Sequence, residues 1–319
     1  MENLAQKGFV PVIIIIAVVA ATAAMLITSI QAPKRQTGII QTPALVVRPA
    51  EASPSATPTA SPSASPKPTL IPKPSQTPTP ALVVNNTPSG SGYSRQTVSA
   101  DGQNFTVDII AADLSSTKVI VDTASESDCS NECPVLPLSD YVARSGAFAG
   151  INGSFFCPAE YPSCAGKTNS FDTLLMNKNK RYFNSDNNVY STVPAAIFSA
   201  GSARFVGRSL EWGRDTGVDS VIANYPLLVA GGNINFTEAA NEPKFGQKGP
   251  RNFIAARGNM VYIGVVRNAT MGESAKVLHT MGMGEALNLD EGGSTALWFS
   301  RYIAGPGRNI PNAILFVPR

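Results

Sequence analysis

Nine prolines fall within residues 51–80, "EASPSATPTASPSASPKPTLIPKPSQTPTP", separated mostly by Ser, Thr and Ala. Proline's fixed φ and missing donor bar helix and sheet alike, and nothing in this stretch can bury a core. Residues 31–92 therefore read as a semi-extended stalk of polyproline II character. At about 3.1 Å per residue it could hold a domain on the order of 100 Å from its point of attachment. A disordered spacer with no particular target is an equal reading. Globular folding is confined to residues 93–319, ample for one domain with its own core.

What lies before the stalk is as constrained. Residues 9–30, "FVPVIIIIAVVAATAAMLITSI", carry no charge over 22 positions. As a helix they span roughly 33 Å, enough to cross a hydrocarbon core. A cleaved signal peptide has a shorter apolar region, about 7–15 residues, before a small-residue cleavage site, and "ATA" at 21–23 leaves that option open. The length favours an uncleaved anchor, with residues 1–8 as a short cytoplasmic tail. Lys7 before the span is set against Lys34 and Arg35 after it, so the positive-inside rule does not orient it.

The cysteines do orient it. Cys129, Cys133, Cys157 and Cys164 are an even set at short spacings downstream of a membrane segment, where disulfides are expected over thiols. This places the domain on the extracytoplasmic side, at a cell surface or envelope. Four cysteines allow three connectivities, of which two local loops are the simplest. A zinc- or redox-active envelope protein is the competing reading, but C-x3-C with C-x6-C is not a zinc spacing. Net charge is +3 with no basic stripe interleaved with aromatics, which argues against a nucleic-acid partner.

Within the globular part, "QTVSADGQNFTVDIIAADL" predicts two strands about an Asp-Gly turn, and "FIAARGNMVYIGVV" a hairpin turning at Gly258-Asn259. "TKVIVDTA" and "NAILFVPR" are further strands. "LPLSDYVARSG" predicts a helix with Ser139 as N-cap and Gly146 as its stop, and "ESAKVLHTMGMG" another closed by Gly282. Residues 166–195 read as irregular. Many short strands with few short helices give an α+β class, a single domain of mixed or antiparallel sheet.

Several chemistries are ruled against. The chain has one histidine, His279, on a predicted helix beside Val277 and Leu278, so a Ser-His-Asp or Cys-His apparatus has little to rest on. Ser294 in "GGSTA" lacks the G-x-S-x-G spacing. No phosphate-binding loop of the Walker type, H-E-x-x-H or dinucleotide fingerprint is present. Three polar clusters remain. In "ALNLDEGGSTALWF", period-2 alternation puts Leu287 and Leu289 on one face and Asn288 and Asp290 on the other. Gly292 and Gly293 permit positive φ, so their amides could form an anion-binding nest with Ser294. Read alone, the segment is a hairpin turn. In "GINGSFF", Asn152 and Ser154 flank a glycine at a strand end, where an Asx-type turn is the plain reading. In "KGPRNFIAA", Arg251 could clamp a phosphate or simply face solvent.

Taken together and in order, "GINGSFF", "YPLLVAGG", "PRNFIAA" and "LNLDEGGST" resemble the successive motifs of the phosphodiester glycosidase family, over roughly residues 100–319. The family's usual last motif is L-D-G-G-G-S, and its arginine motif usually ends in glycine. Here Glu291 stands at the first glycine of the last motif and Ala255 at the glycine of the arginine motif. The resemblance implies hydrolysis of a sugar-1-phosphodiester at its glycosidic bond, on extracytoplasmic glycans or envelope polysaccharides. It implies a pocket of Asn152, Ser154, Arg251, Asp290 and the Gly292–Ser294 turn. Asp290 is then the expected base or nucleophile, with Glu291 a partner if the turn redirects it, and Arg251 and the turn amides hold the phosphate. Asn288 joins the substrate-binding set through its face. Asp172 and Glu242 are more distant carboxylate candidates. No cofactor is expected, although Asp290 and Glu291 could hold Ca²⁺ or Mg²⁺. The alternative function is a non-catalytic envelope module that binds anionic glycans.

Overall fold

The computed structural model describes residues 86–184, 191–237 and 243–319. The expected tail, anchor and most of the stalk, as well as Glu242, lie outside the described residues. Among the described residues no helix is long and apolar enough to cross a membrane.

The described residues open with a hairpin of β1 (Gly92–Ala100) and β2 (Gln103–Asp113), then β3 (Thr117–Thr123), helix α1 (Leu138–Ser145) and β4 (Ala149–Asn152). Five short strands follow: β5 (Leu175–Met176), β6 (Tyr182–Phe183), β7 (Ala195–Ser199), β8 (Ser202–Val206) and β9 (Ser220–Ala223). Next come β10 (Leu227–Ala230), β11 (Asn233–Ile234), β12 (Gly249–Arg257) and β13 (Met260–Ala269). Helix α2 (Met271–Thr280), β14 (Glu285–Asn288), β15 (Leu297–Phe299), β16 (Arg301–Ala304) and β17 (Asn312–Pro318) complete it.

The strands form three antiparallel sheets, ordered β1-β2-β13-β12-β14-β10-β11, β16-β15-β4-β17-β3 and β6-β5-β9-β7-β8. All three turn one face onto a shared core that includes Ile110, Ile263, Leu287, Val121, Ile314 and Phe198. The opposite face of the seven-stranded sheet is covered by α2, where Phe253 and Tyr262 meet Ala275 and Leu278. α1 covers the outer face of the sheet containing β17, through Leu138 and Tyr141 against Leu315. Burial on both faces explains why β12, β13 and β17 read as nearly continuous apolar runs instead of clean alternation.

The two turns expected from Asp-Gly and Gly-Asn are where the sequence put them: Ala100 pairs with Gln103 and Arg257 with Met260. Three expectations need correction. Ser139 is not the N-cap of α1. Pro137 holds that position without a side-chain cap, and the Ser139 amide donates to Tyr302 Oη at 3.1 Å. Residues 166–195 are not wholly irregular, because β5 is an interior strand and β6 an edge strand of the third sheet. Two-residue strands are too short to show any period. Finally, the segment 286–299 is not a hairpin. β14 pairs with β12 and β10, whereas β15 pairs with β4 and β16 in another sheet. Its turn hands the chain from one sheet to the next.

Candidate active site

That crossing is fastened by buried side-chain amides. Past the end of β14 the backbone continues to find partners: Leu289 N–H donates to Asn252 O and Asp290 N–H to Gly153 O, each at 2.9 Å. Asn152, at the end of β4, donates through Nδ2 to the Asp290 carbonyl at 2.7 Å and accepts the Ala296 amide at 3.0 Å on Oδ1. Asn252 on β12 donates to the same Asp290 carbonyl at 2.6 Å and to Asn152 Oδ1 at 3.0 Å. Asn224 accepts from Phe155 N at 3.0 Å and donates to the Asn288 carbonyl at 2.9 Å. Asn312 accepts the Ser154 amide at 3.0 Å, and a Cβ at Gly153 would collide with that Asn312 amide. Unmade hydrogen bonds are expensive in a buried setting, so this lattice defines the position of residue 290 tightly.

Above it opens a cleft of about 580 Å³, within the size range of small-ligand sites. Asp290, Glu291 and Asp172 line it, as do Lys244, Arg308 and Tyr161. The backbone at Glu291 is extended at φ −142° and ψ −170°, and Gly292–Ser294 form a single 3-10 turn. Asp290 and Glu291, which would point apart on a regular strand, therefore face the same cavity. The expected nest of turn amides is modified. Ser294 N–H donates to Glu291 O at 3.3 Å and Thr295 N–H to Gly292 O at 3.1 Å, so these two amides close the turn itself. Gly292 and Ser294 contribute to the cavity wall, whereas Asn152, Ser154 and Asn288 are buried beneath it.

Arg251 is not poised as a free clamp. It is 4 % exposed. Its Nε donates to Ala269 O at 2.9 Å, one terminal nitrogen is ion-paired with Glu291, and the other donates to the carbonyls of Lys244 and Gln247. The guanidinium thus organises the 244–247 loop and neutralises the carboxylate that stands where a glycine was expected. Glu291 keeps one oxygen, Oε2, buried without a hydrogen-bond partner among the described residues.

The cavity's cations come from elsewhere. Lys244 Nζ lies 5.1 Å from the ring centres of both Phe155 and Phe245 and 5.8 Å from that of Tyr225, a box that stabilises an ammonium by cation–π attraction. Arg308 donates its backbone amide to Gly293 O at 2.9 Å, and its guanidinium covers Gly293 so closely that a Cβ there would collide with it. A side chain at residue 293 would therefore displace the Arg308 guanidinium from its place over the turn.

Burial pushes the Asp290 carboxyl up to about 7, assisted by the Glu291 charge and opposed by the Ser294 hydroxyl, the Glu291 amide at 2.9 Å and Arg308. Glu291 is also raised by burial, against the pull of Arg251 and Lys244. Desolvation by the cavity walls raises Asp172 as well, opposed by Lys167 and Lys244. A carboxyl that titrates near neutrality, beside Lys244 and an Arg308 that pairs with the exposed Glu160 at 3.6 Å, is equipped for proton transfer next to an anionic substrate.

The three polar clusters of the sequence therefore converge on one site, together with Asp172. Lys244, Arg308 and Asn252 were not anticipated. A lone cation in a polar loop has the same local signature as a surface charge, and a buried asparagine on a strand looks like an exposed one. The four cysteines form the local pairs Cys129–Cys133 and Cys157–Cys164, which removes them as zinc ligands and suits an oxidising, extracytoplasmic compartment. Among the described residues no group of three or more His, Cys, Asp or Glu side chains could hold a metal ion.

No curated protein matches the chain. Among solved structures, the fold is shared with the catalytic domain of zebrafish N-acetylglucosamine-1-phosphodiester α-N-acetylglucosaminidase, auto-inhibited by its pro-peptide. That match has a TM-score of 0.58 at 15% identity and covers 73% of this chain and 85% of that one. A hypothetical protein from Synechocystis matches with a TM-score of 0.49 at 13% identity, over 71% of this chain, which spans 62% of that protein. The family model described as phosphodiester glycosidase matches residues 145–317, more than half of the sequence and all three polar clusters. The chain belongs to the phosphodiester glycosidase family.

Proposed function

We propose that the protein hydrolyses the glycosidic bond of sugar-1-phosphodiesters, acting on extracytoplasmic glycans or envelope polysaccharides. The observation that carries this reading is Asp290, a carboxyl with a pKa near 7 held at the cavity floor beside Lys244 and Arg308. A phosphodiester carries one negative charge. Lys244 and Arg308, the latter only loosely paired with the exposed Glu160 at 3.6 Å, supply the positive field for it, while the buried Arg251 is already neutralised by Glu291. In the proposed reaction Asp290, ionised, takes a proton from water as the water oxygen bonds to the anomeric carbon. The bond from that carbon to the phosphate oxygen breaks, and its electron pair leaves with the phosphate monoester. Because that leaving group is already a stable anion, it needs little protonation, and one well-placed base carries the step. Ser294, hydrogen-bonded to the Asp290 carboxyl, orients it.

Residues 9–30 are proposed to anchor this domain and residues 31–92 to hold it clear of the membrane, with the disulfides fixing the side. A second reading, a module that binds anionic glycans without turning them over, is favoured by Glu291 in the glycine's place. The two are separated by turnover. The full chain in detergent is expected to release free sugar from a sugar-1-phosphodiester, and Asp290→Asn is expected to lower kcat roughly 10²- to 10⁴-fold. Saturable binding with no release across a panel of such esters would establish the binding module instead.

A further inference from the structure

Each of the three sheets ends in two edge strands, and all of these but one are protected. β6 and β11 are only two residues long, and β8 is five, with an exposed Arg204 at its centre. β16 is four residues long, opens on the exposed Arg301 and lends its Ile303 carbonyl to Arg267 at 3.2 Å. β3 is covered: Val121 accepts the Lys178 amide at 2.8 Å and donates its own to Ser220 Oγ at 3.0 Å. Short strands, edge charges and covering loops are the devices that keep a sheet from pairing with another chain.

β1 has none of them. It runs for nine residues and pairs with β2 in a register that never shifts, so no bulge turns its outer edge away. It contains no proline, and its one charged side chain, Arg95, is ion-paired with Asp108 at 2.8 Å. Beyond the ladder to β2, no described residue hydrogen-bonds to its backbone. Ser94, Gln96 and Thr97 are exposed along it. On the face that carries α2, a groove of about 170 Å³ begins beside Ser94 and Gln96 and is floored by Ile109, Tyr262 and Met283. The side chains of an added strand would find an apolar surface there.

We propose that this edge pairs with a second copy of itself, antiparallel about a two-fold axis at Gln96, so that two seven-stranded sheets become one. The strand is complementary to itself. In that register Gln96 faces its own counterpart and Arg95 stands opposite Thr97, so no charge meets a like charge. The Asp290 turn follows β14, beyond β2, β13 and β12 in the same sheet, and the pairing leaves the cleft open. Pairing at β1 does not depend on what Asp290 does.

Sedimentation equilibrium of the full chain in density-matched detergent tests it. The wild type is expected to show a monomer–dimer equilibrium. Gln96→Lys and Gln96→Glu each set like charges face to face, and each is expected to weaken the dimer roughly 3- to 5-fold. An equimolar mixture of the two should restore it, because the two-fold axis then brings opposite charges together. Gln96 is exposed and its side chain bonds only to Ser94 Oγ, at 3.0 Å, so both variants are expected to fold. A wild type that stays monomeric at every concentration would overturn the pairing. So would a dimer indifferent to both charges, which would put the contact elsewhere in the chain. A mixture no stronger than the single variants would also overturn it, since residue 96 would then face something other than itself.

Discussion

Asp290 is held by an arrangement that is costly for its charge. Its backbone carbonyl takes two asparagine amides, while its carboxyl sits where burial raises it to about 7. The consequence for stability has a definite sign. Between the ordinary aspartate value of about 4 and a pH near 7, the unfolded chain ionises Asp290 before the folded one does, so this residue's contribution to stability falls as pH rises. Above pH 7 both states are ionised and the penalty is constant. Asp290→Asn should therefore raise the melting temperature relative to wild type at pH 8 and not at pH 4. In the same window, if the ionised form is the base, kcat/KM on a sugar-1-phosphodiester should climb with pH along a limb centred near 7. A descending limb there would reassign Asp290 as the acid. Glu291 carries a second prediction. Its partner Arg251 is 4% exposed, and removing one member of a buried ion pair costs about 3–5 kcal/mol. Glu291→Ala should lower Tm by roughly 6–20 °C at about 2–4 °C per kcal/mol. Inorganic phosphate should recover part of that loss in the variant by occupying the vacated place, with little effect on wild type. A loss that phosphate does not touch would mean that no anion can reach Arg251.

At the scale of elements, the site depends on two kinds of support that respond differently to damage. The asparagine lattice joins β4, β12 and β14 beneath Asp290, whereas the Cys157–Cys164 loop only walls the cavity. Replacing both cysteines with serine should cost about 2.5 kcal/mol in urea unfolding, the value expected for so short a closed loop. It should leave kcat on a methyl ester nearly intact, since no bond to Asp290 passes through the loop. A collapse of kcat would show that the loop positions the reacting groups after all. The same contrast explains what was legible in the sequence. Asp101-Gly102 and Gly258-Asn259 impose their hairpins locally, so those strands and their register could be read directly. The turn at 290–294 has the same local chemistry but joins strands of different sheets, and only tertiary pairing distinguishes the cases. Asn152 and Arg251 were readable as site residues from their motifs, but their parts were not. Both serve the backbone around Asp290 and the 244–247 loop, a role set by partners 100 or more residues away for Asn152 and 40 for the Glu291 pair of Arg251. Exposed Lys244 and half-buried Arg308 line the cavity beside Arg251, the one arginine that the family motifs had put forward.

For the whole molecule, the proposed anchor and stalk would make the enzyme's reach a matter of polymer physics more than of the fold. A domain carrying two disulfides belongs outside the reducing compartment, and in the sequence an uncharged segment of 22 residues precedes a stretch with nine prolines in 51–80, the proposed stalk. Under the anchored reading, the full chain should sediment with membranes, resist extraction by alkaline carbonate and dissolve in detergent. Denatured without reductant it should show no titratable thiol, since its four cysteines are paired. Protease added outside intact cells should cut within the stalk and release a folded fragment that retains both disulfides and the activity on soluble esters. That fragment should lose activity on envelope-bound substrate held at a fixed distance from the membrane, because tethering confines the site to a shell set by stalk length and raises its effective concentration there. Shortening the proline-rich segment should likewise reduce action on the bound substrate and leave the soluble ester untouched. A mature protein that lacks residues 9–30 and floats free of membranes would instead identify that segment as a cleaved signal. The stalk would then be a spacer with nothing to span.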